Sequence, residues 1–367
     1  MKEVHIYQML PTVRTGDAVS NDAVALENTL RQLGYETMIY ALNIGSGIPS
    51  SVARSVEQEL PQFNPDDILL YHLSTGSILN FRYMEYNCRK VLVYHNITPP
   101  TFFARFDPAA AAFCQRGLKE AVYMGPYTEL ALADSQFNAD ELRSFGYTCP
   151  IDVLPILIPF EDYEKTPTRK ILNQKGQKTT FLFTGRVAPN KKQEDLMLSF
   201  YYYKKYYNQN SRLVLAGSFD EAGLYGRELQ AYRKSLGLSP EDVIFTGHIR
   251  FADILAWYRC ADAFLCLSEH EGFCVPLVEA MYFHLPILAY DSTAVGETMG
   301  GGGLLLEDKD PLLVAGAMDR VIRDQKLRET LVDKGQERLR DFDRKKITEQ
   351  FTGIIDGLTK GRASAKA

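Results

Sequence analysis

FLFTGRVAPNKKQEDLM, residues 181–197, opens as a short apolar run, turns at Gly185 and passes through a polar loop into a segment with helical spacing. A strand, a glycine turn and a helix in that order form one unit of a parallel sheet whose faces are covered by helices. The same pattern recurs outward from it. Upstream the apolar runs are VHIYQML, TMIYAL, ILLYHL, KVLVYH, LALADS and IDVLPIL; downstream they are RLVLAGS, DVIFTGH, AFLCLS, LPILAYD and GLLLE. Helical stretches lie between them, such as NDAVALENTLRQLG, which runs from Asn21 and Asp22 to a terminating Gly34. The chain therefore reads as α/β, with two doubly wound sheets.

A polar stretch with two prolines, Pro159 to Thr180, separates the two sets of runs and reads as a linker. This predicts a domain over 1–160, a linker over 161–178, a second domain over 179–345 and a C-terminal helix within 346–367 that crosses back to the first domain before a frayed tail. A length of 367 residues suits two domains, and 46% apolar residues supply two cores. The segment from Pro311 to about Arg340 reads as one long amphipathic pattern. Ser135 or Asn138 reads as the cap of the helix in ALADSQFNADELRSFG.

Composition excludes several classes. The net charge of -5 has the wrong sign for a protein that lives on phosphate backbones, so no nucleic-acid partner is expected. The six cysteines include no C-x-x-C pair, and no apolar run approaches membrane-spanning length. A reduced, cytoplasmic protein is expected. No G-x-G-x-x-G follows a strand and no phosphate-binding Walker loop is present, which disfavours a dinucleotide oxidoreductase. Scattered histidines and the lack of a D-x-D string leave no metal site in view.

Two segments carry the chemistry. In LSEHEGFCVPLVEAM, residues 267–281, a strand end leads through a loop to a helix whose first turn holds Pro276. Glu271 in the loop and Glu279 in the helix can flank the helix N-terminus, where free N–H groups and the positive end of the dipole suit a diphosphate. Two carboxylates beside it can accept hydrogen bonds from sugar hydroxyls. Taken singly, Glu271 reads equally well as a surface loop residue and Glu279 as a solvated helix face. In the loop of residues 185–192, Arg186 offers a planar fork to phosphate oxygens and Lys191 a mobile point charge. One basic pair alone would more simply be two exposed cations.

Together the segments resemble glycosyltransferase family 4, the retaining nucleotide-sugar transferases of the GT-B fold. The G-R-x-x-x-x-K run falls on Gly185, Arg186 and Lys191, the E-x7-E pair on Glu271 and Glu279, and the F-x-G turn on Phe245, Thr246 and Gly247. The resemblance implies two Rossmann-like domains facing across a cleft, the first binding acceptor and the second binding donor. It implies that Arg186 and Lys191 hold the diphosphate, that Glu271 with the Gly272 and Phe273 backbone holds the transferred sugar, and that Glu279 holds the ribose. The base would sit near Gly247 and His248, with Cys274 and Val275 completing the donor set. Cys274 stands where the family more often has glycine.

In the first half the family places an active-site histidine at His95, in KVLVYHNITPPTFF, and His72 is a second candidate on the acceptor side. The loop PTVRTGDAVSND puts Gly16 and Asp17 where the family's first glycine loop approaches the donor, although T-G-D replaces adjacent glycines. The implied reaction moves a hexose from a GDP- or UDP-linked donor to a hydroxyl of a saccharide or lipid-linked acceptor, with retention and without cofactor or metal. The YHNITP string is similar to bacterial surface-polysaccharide transferases, several of which use GDP-mannose. A lipid-linked acceptor would bring weak peripheral contact with the inner face of the membrane. Two other readings are a nucleotide-sugar-binding partner subunit without turnover and a GT-B epimerase.

Overall fold

The computed structural model describes residues 4–60 and 62–360, and the chain divides into two compact units. The first comprises the chain through Pro100, Ala109–Pro159 and the chain from Phe342 onward. The second comprises Thr101–Pro108 and Phe160–Asp341.

The first unit is built on β1 (His5–Val13), β2 (Glu36–Ile44), β3 (Ala53–Ser55), β4 (Ile68–Leu73), β5 (Arg89–Tyr94), β6 (Leu130–Ala133) and β7 (Ile151–Val153), in the order β3-β2-β1-β4-β5-β6-β7. Every ladder is parallel. A parallel sheet is covered on both faces, and β4 is accordingly buried at all six positions. Ile68 and Leu70 pack on one side with Leu26 and Leu30, while Leu69 and Tyr71 pack on the other with Leu79, Leu92 and Met124. The last helix, Arg344–Lys360, adds Ile347, Phe351 and Ile355 to the first of these clusters. These residues are four apart, so they share one helix face. Burial contributes roughly 1.5–3 kcal/mol for each, enough to hold this helix in the first unit.

The second unit contains β8 (Thr179–Thr184), β9 (Ser211–Ala216), β10 (Val243–Phe245), β11 (Ala263–Cys266), β12 (Ile287–Tyr290) and β13 (Leu304–Leu306), in the order β10-β9-β8-β11-β12-β13 and again all parallel. The order reverses between β8 and β11 here, and between β1 and β4 in the first unit. Loops leaving the carboxyl ends at such a reversal diverge and leave a crevice.

Several expectations need correction. Residues 161–178 are no free linker: they form a 3-10 turn (Phe160–Glu164) and a short helix (Arg169–Leu172), and the Thr168 N–H donates to the Ala252 carbonyl at 3.0 Å. Residues 101–108 pack with the second unit instead of the first, through Phe106 against Tyr225 and an Arg105–Glu228 ion pair. The pattern from Pro311 is two helices, Pro311–Arg323 and Gln325–Leu339, because Asp324 turns its side chain to the Leu327 N–H (3.0 Å) and starts a new helix. The helix expected from Asn21 begins three residues earlier, at Ala18. Ser135 caps Gln136–Ser144, with Asn138 as its N–H donor. No helix among the described residues is long and apolar enough to cross a membrane.

Candidate active site

In the second unit the loops after β8 and β11 flank the reversal point and are joined there. The Glu269 N–H donates to the Asn190 carbonyl (2.9 Å), and the Asn190 amide donates to the His270 carbonyl (3.0 Å). This lacing brings Lys191 to Glu271, Nζ to Oε2 2.5 Å, with the side chains 21% and 8% exposed. Burial works against the charge on Lys191, but the Glu271 carboxylate outweighs it and holds the ammonium above its usual pKa. Thr293 fixes the Glu271 backbone, accepting from its N–H (2.9 Å) and donating to its carbonyl (2.8 Å).

Arg186 differs from Lys191. It is exposed, rests over the Phe103 ring at 5.9 Å, and has no carboxylate partner among the described residues. A guanidinium in that state can turn toward an incoming anion at little cost. Ahead of it, Gly185 adopts φ 144 and lies so close to Gly217 that a Cβ on Gly217 would stand 2.1 Å from the Gly185 carbonyl oxygen. Gly217 bridges Gly247, so the turns after β8, β9 and β10 lie side by side. His248, beside Gly247, is exposed.

Glu279 lies inside the helix Val275–Tyr282 and accepts from Tyr258 (2.6 Å) and Tyr163 (2.9 Å). Burial raises its pKa, and the two phenols oppose that rise. Tyr258 is also 2.6 Å from the Thr184 hydroxyl, at the residue before Gly185. Glu279 is thereby tied to the strand end from which Arg186 departs. The helix begins at Cys274, which adopts the left-handed region (φ 72, ψ 62), and its N-terminus follows directly on Glu271, Gly272 and Phe273. The helix dipole adds to the pull on an anion there. His270 is buried and uncharged, its pKa lowered to about 4 by burial. Tyr163, Tyr258 and His270 escaped the sequence reading, because nothing in their local pattern separates a buried phenol or imidazole beside a ligand from one in a core.

In the first unit a row of polar side chains crosses four adjacent strands. Gln8 on β1, His72 on β4, His95 just after β5 and Asp134 just after β6 are linked at 2.8, 2.8 and 2.9 Å. The direction of this row follows from its first member. The Gln8 amide nitrogen donates to the Ala23 carbonyl (2.9 Å) and the Glu27 carboxylate (3.1 Å), so the Gln8 oxygen faces His72 as acceptor. His72 must then donate from Nε2 and accept at Nδ1, which leaves His95 to donate from Nε2. Burial and the neighbouring His95 charge lower the His72 pKa, keeping it neutral. Burial alone would lower that of His95, but the Asp134 carboxylate raises it. The Asp134 carboxylate thus favours the protonated form of His95.

Two expectations change here. His72 is wholly buried and both its nitrogens are bonded within the protein, so its expected contact with an acceptor is corrected to an internal link. His95, 2% exposed at its side chain, likewise has both nitrogens occupied. Asp17 caps the helix Ala18–Gln32, accepting from the Ser20 N–H (3.0 Å) and hydroxyl (2.7 Å), while Gly16 beside it is exposed with φ 77. Two groups of side chains nevertheless stand close enough to offer ligand atoms to one ion. Asp22, His72 and His95 form one cluster of potential ligand atoms, and Cys266, Glu271 and Cys274 a second.

A doubly wound parallel sheet in each unit, with charged loops at its reversal point, defines the class: the chain has the GT-B fold. Solved structures agree. The chain is similar to Anabaena Alr3699/HepE, determined in complex with UDP and glucose (TM-score 0.75, 16% identity, 96% of this chain and 100% of that one). It is also similar to WaaG, a glycosyltransferase involved in lipopolysaccharide biosynthesis (TM-score 0.72, 15% identity, 96% and 100%).

Residues 164–338, within the second unit, match the family of glycosyl transferases group 1. Among curated relatives, an alpha-1,4-N-acetyl-D-galactosaminyltransferase of Campylobacter jejuni is 27% identical over 177 residues, 47% of each chain. The O-antigen chain mannosyltransferase B of Escherichia coli is 22% identical over 270 residues, 71% of this chain and 68% of the relative. The chain thus spans about half the length of the first of these relatives.

Proposed function

We propose that the protein transfers a hexose from a GDP- or UDP-linked donor to a hydroxyl of a saccharide or lipid-linked saccharide, with retention at the anomeric carbon, in the synthesis of a bacterial polysaccharide. The observation that carries this reading is the Lys191–Glu271 ion pair, together with the exposed Arg186, on the two loops flanking the sheet reversal in a segment that matches the group 1 glycosyltransferases. In support, one relative's name specifies an undecaprenol-linked acceptor and another's an O-antigen mannosyltransferase.

In this reading Arg186 and Lys191 neutralise the departing diphosphate, which also lies at the N-terminus of Val275–Tyr282. Charge stabilisation of the leaving group lowers the barrier without a metal. Glu271, with the Gly272 and Phe273 backbone, receives the sugar hydroxyls. Glu279 keeps lone pairs beyond the two phenols for the ribose, and Gly247 and His248 border the base. Gly185 and Val275 shape the backbone around the phosphates. His95 acts through its place in the buried row, with Asp134 favouring its protonated form and both its nitrogens already bonded. No side chain is assigned as nucleophile; the leaving phosphate takes the acceptor proton.

The test is transfer from a panel of GDP- and UDP-sugars by wild type, Lys191→Ala and Glu271→Ala. A loss of about 100-fold or more in both variants is expected, the scale of removing a group that stabilises transition-state charge. Wild-type rates in both would discard the assignment.

A further inference from the structure

Neither sulfur of the second cluster has a part in the transfer proposed above. Cys266 ends β11, Cys274 caps the helix Val275–Tyr282, and Glu271 lies between them in sequence. One ligand atom from each, two sulfurs and a carboxylate oxygen, all lie within 4.8 Å of one another. The three residues are 1%, 6% and 7% exposed, in the order Cys266, Cys274, Glu271. The Cys266 thiol donates to the Ser268 hydroxyl at 3.4 Å, and no cysteine is engaged in a disulfide among the described residues.

We propose that Cys266, Cys274 and Glu271 form a binding site for a soft divalent cation of the Zn2+ or Cd2+ type, with two thiolates and one carboxylate as ligands and a fourth position open. The distances are close to those required. A tetrahedral ion about 2.3 Å from each sulfur and about 2.0–2.2 Å from the oxygen holds its ligand atoms roughly 3.5–3.8 Å apart, so side-chain adjustments of about 1 Å close the site. Thiolates select soft cations over magnesium or calcium.

The charge also balances, which matters in a buried place. Before binding, the Glu271 carboxylate and the Lys191 ammonium cancel. Binding forms two metal–sulfur bonds and one metal–oxygen bond, and the two thiol protons leave to solvent. A dication, two thiolates, one carboxylate and one ammonium again sum to zero. The other cluster, Asp22 with His72 and His95, is less suited because both imidazoles have their nitrogens committed to the buried row.

The site shares Glu271 with the proposed transfer reaction, but cation binding is measured without donor and by a signal independent of turnover, so each reading can fail without the other. The experiment titrates the reduced full-length chain with Cd2+, following the ultraviolet sulfur-to-cadmium charge-transfer band and heat release. Wild type should bind one ion with that band. Cys274→Gly keeps a backbone that glycine adopts without strain at φ 72, and should bind at least about tenfold more weakly, since losing even a residue that supports a ligand costs about 10–100-fold. Cys266→Ala serves as a second variant, and Cys260→Ser as a control expected to match wild type. Absence of the band in wild type, or wild-type affinity in folded Cys274→Gly and Cys266→Ala, overturns the proposal.

Discussion

His72 Nδ1 lies 2.8 Å from His95 Nε2, with the two rings 5° from parallel, and the hydrogen between them belongs to His95. That polarity descends from Gln8, whose amide orientation is settled by two acceptors. At neutral pH, long-range proton–nitrogen correlation spectra should show His72 protonated at Nε2 alone and His95 protonated at Nε2. A His95 with bare Nε2 would contradict this reading of the row.

Asp22 is buried, and burial pushes its carboxyl up to about 7 from 3.8, against the pull of His95 and of the Leu157 N–H bonded to it at 2.8 Å. Because the folded state holds the proton more tightly, the stability contributed is complete below pH 3.8 and is lost as pH rises through about 7. Asp22→Asn keeps an acceptor for Leu157 and has nothing to ionise. In thermal melts its advantage over wild type should grow between pH 4 and 7 and then level off; a constant offset across that range would be inconsistent with the raised carboxyl. The same variant should lower the His95 pKa, which the Asp22 charge helps to raise.

Removing Lys191 leaves the Glu271 carboxylate buried without its cation. Breaking such a pair costs about 3–5 kcal/mol, whereas replacing both partners can be close to neutral. Chemical denaturation should therefore find Lys191→Met much less stable than the double variant Lys191→Met/Glu271→Gln. Equal stabilities would mean that the two side chains are not coupled.

Tyr258 joins Glu279 to Thr184, so Tyr258→Phe removes a donor from a buried carboxylate. A loss of about 1–3 kcal/mol in stability is expected, together with weaker nucleoside-diphosphate binding by calorimetry. Unchanged affinity would separate Glu279 from the donor site.

Much of the fold was legible because apolar runs ending in Gly185, Gly217 and Gly247 mark strands and their turns. The edge strand β3 was not, since three residues carry no period. Nor was the placement of residues 101–108, which depends on Phe106 meeting Tyr225, more than a hundred residues away. Of the site, Arg186, Lys191, Glu271 and Glu279 stood out through their spacing. Gln8 and Asp134 did not, although a clue was present: Gln8 and His72 interrupt strands that are otherwise almost wholly apolar. A polar side chain placed in a buried strand must find a partner, and that demand can be read before the partner is known.

The central claim is that the loops bearing Arg186, Lys191 and Glu271 bind a nucleoside diphosphate. The most direct measurement is calorimetric titration of GDP and UDP into wild type and Arg186→Ala, a variant that removes an exposed side chain and should melt like wild type without ligand. A hydrogen bond to a charged group contributes about 1.5–3 kcal/mol, so binding of the preferred nucleotide should weaken by roughly 10- to 150-fold. Equal affinity in the two proteins, or no binding of either nucleotide to wild type, would contradict the account.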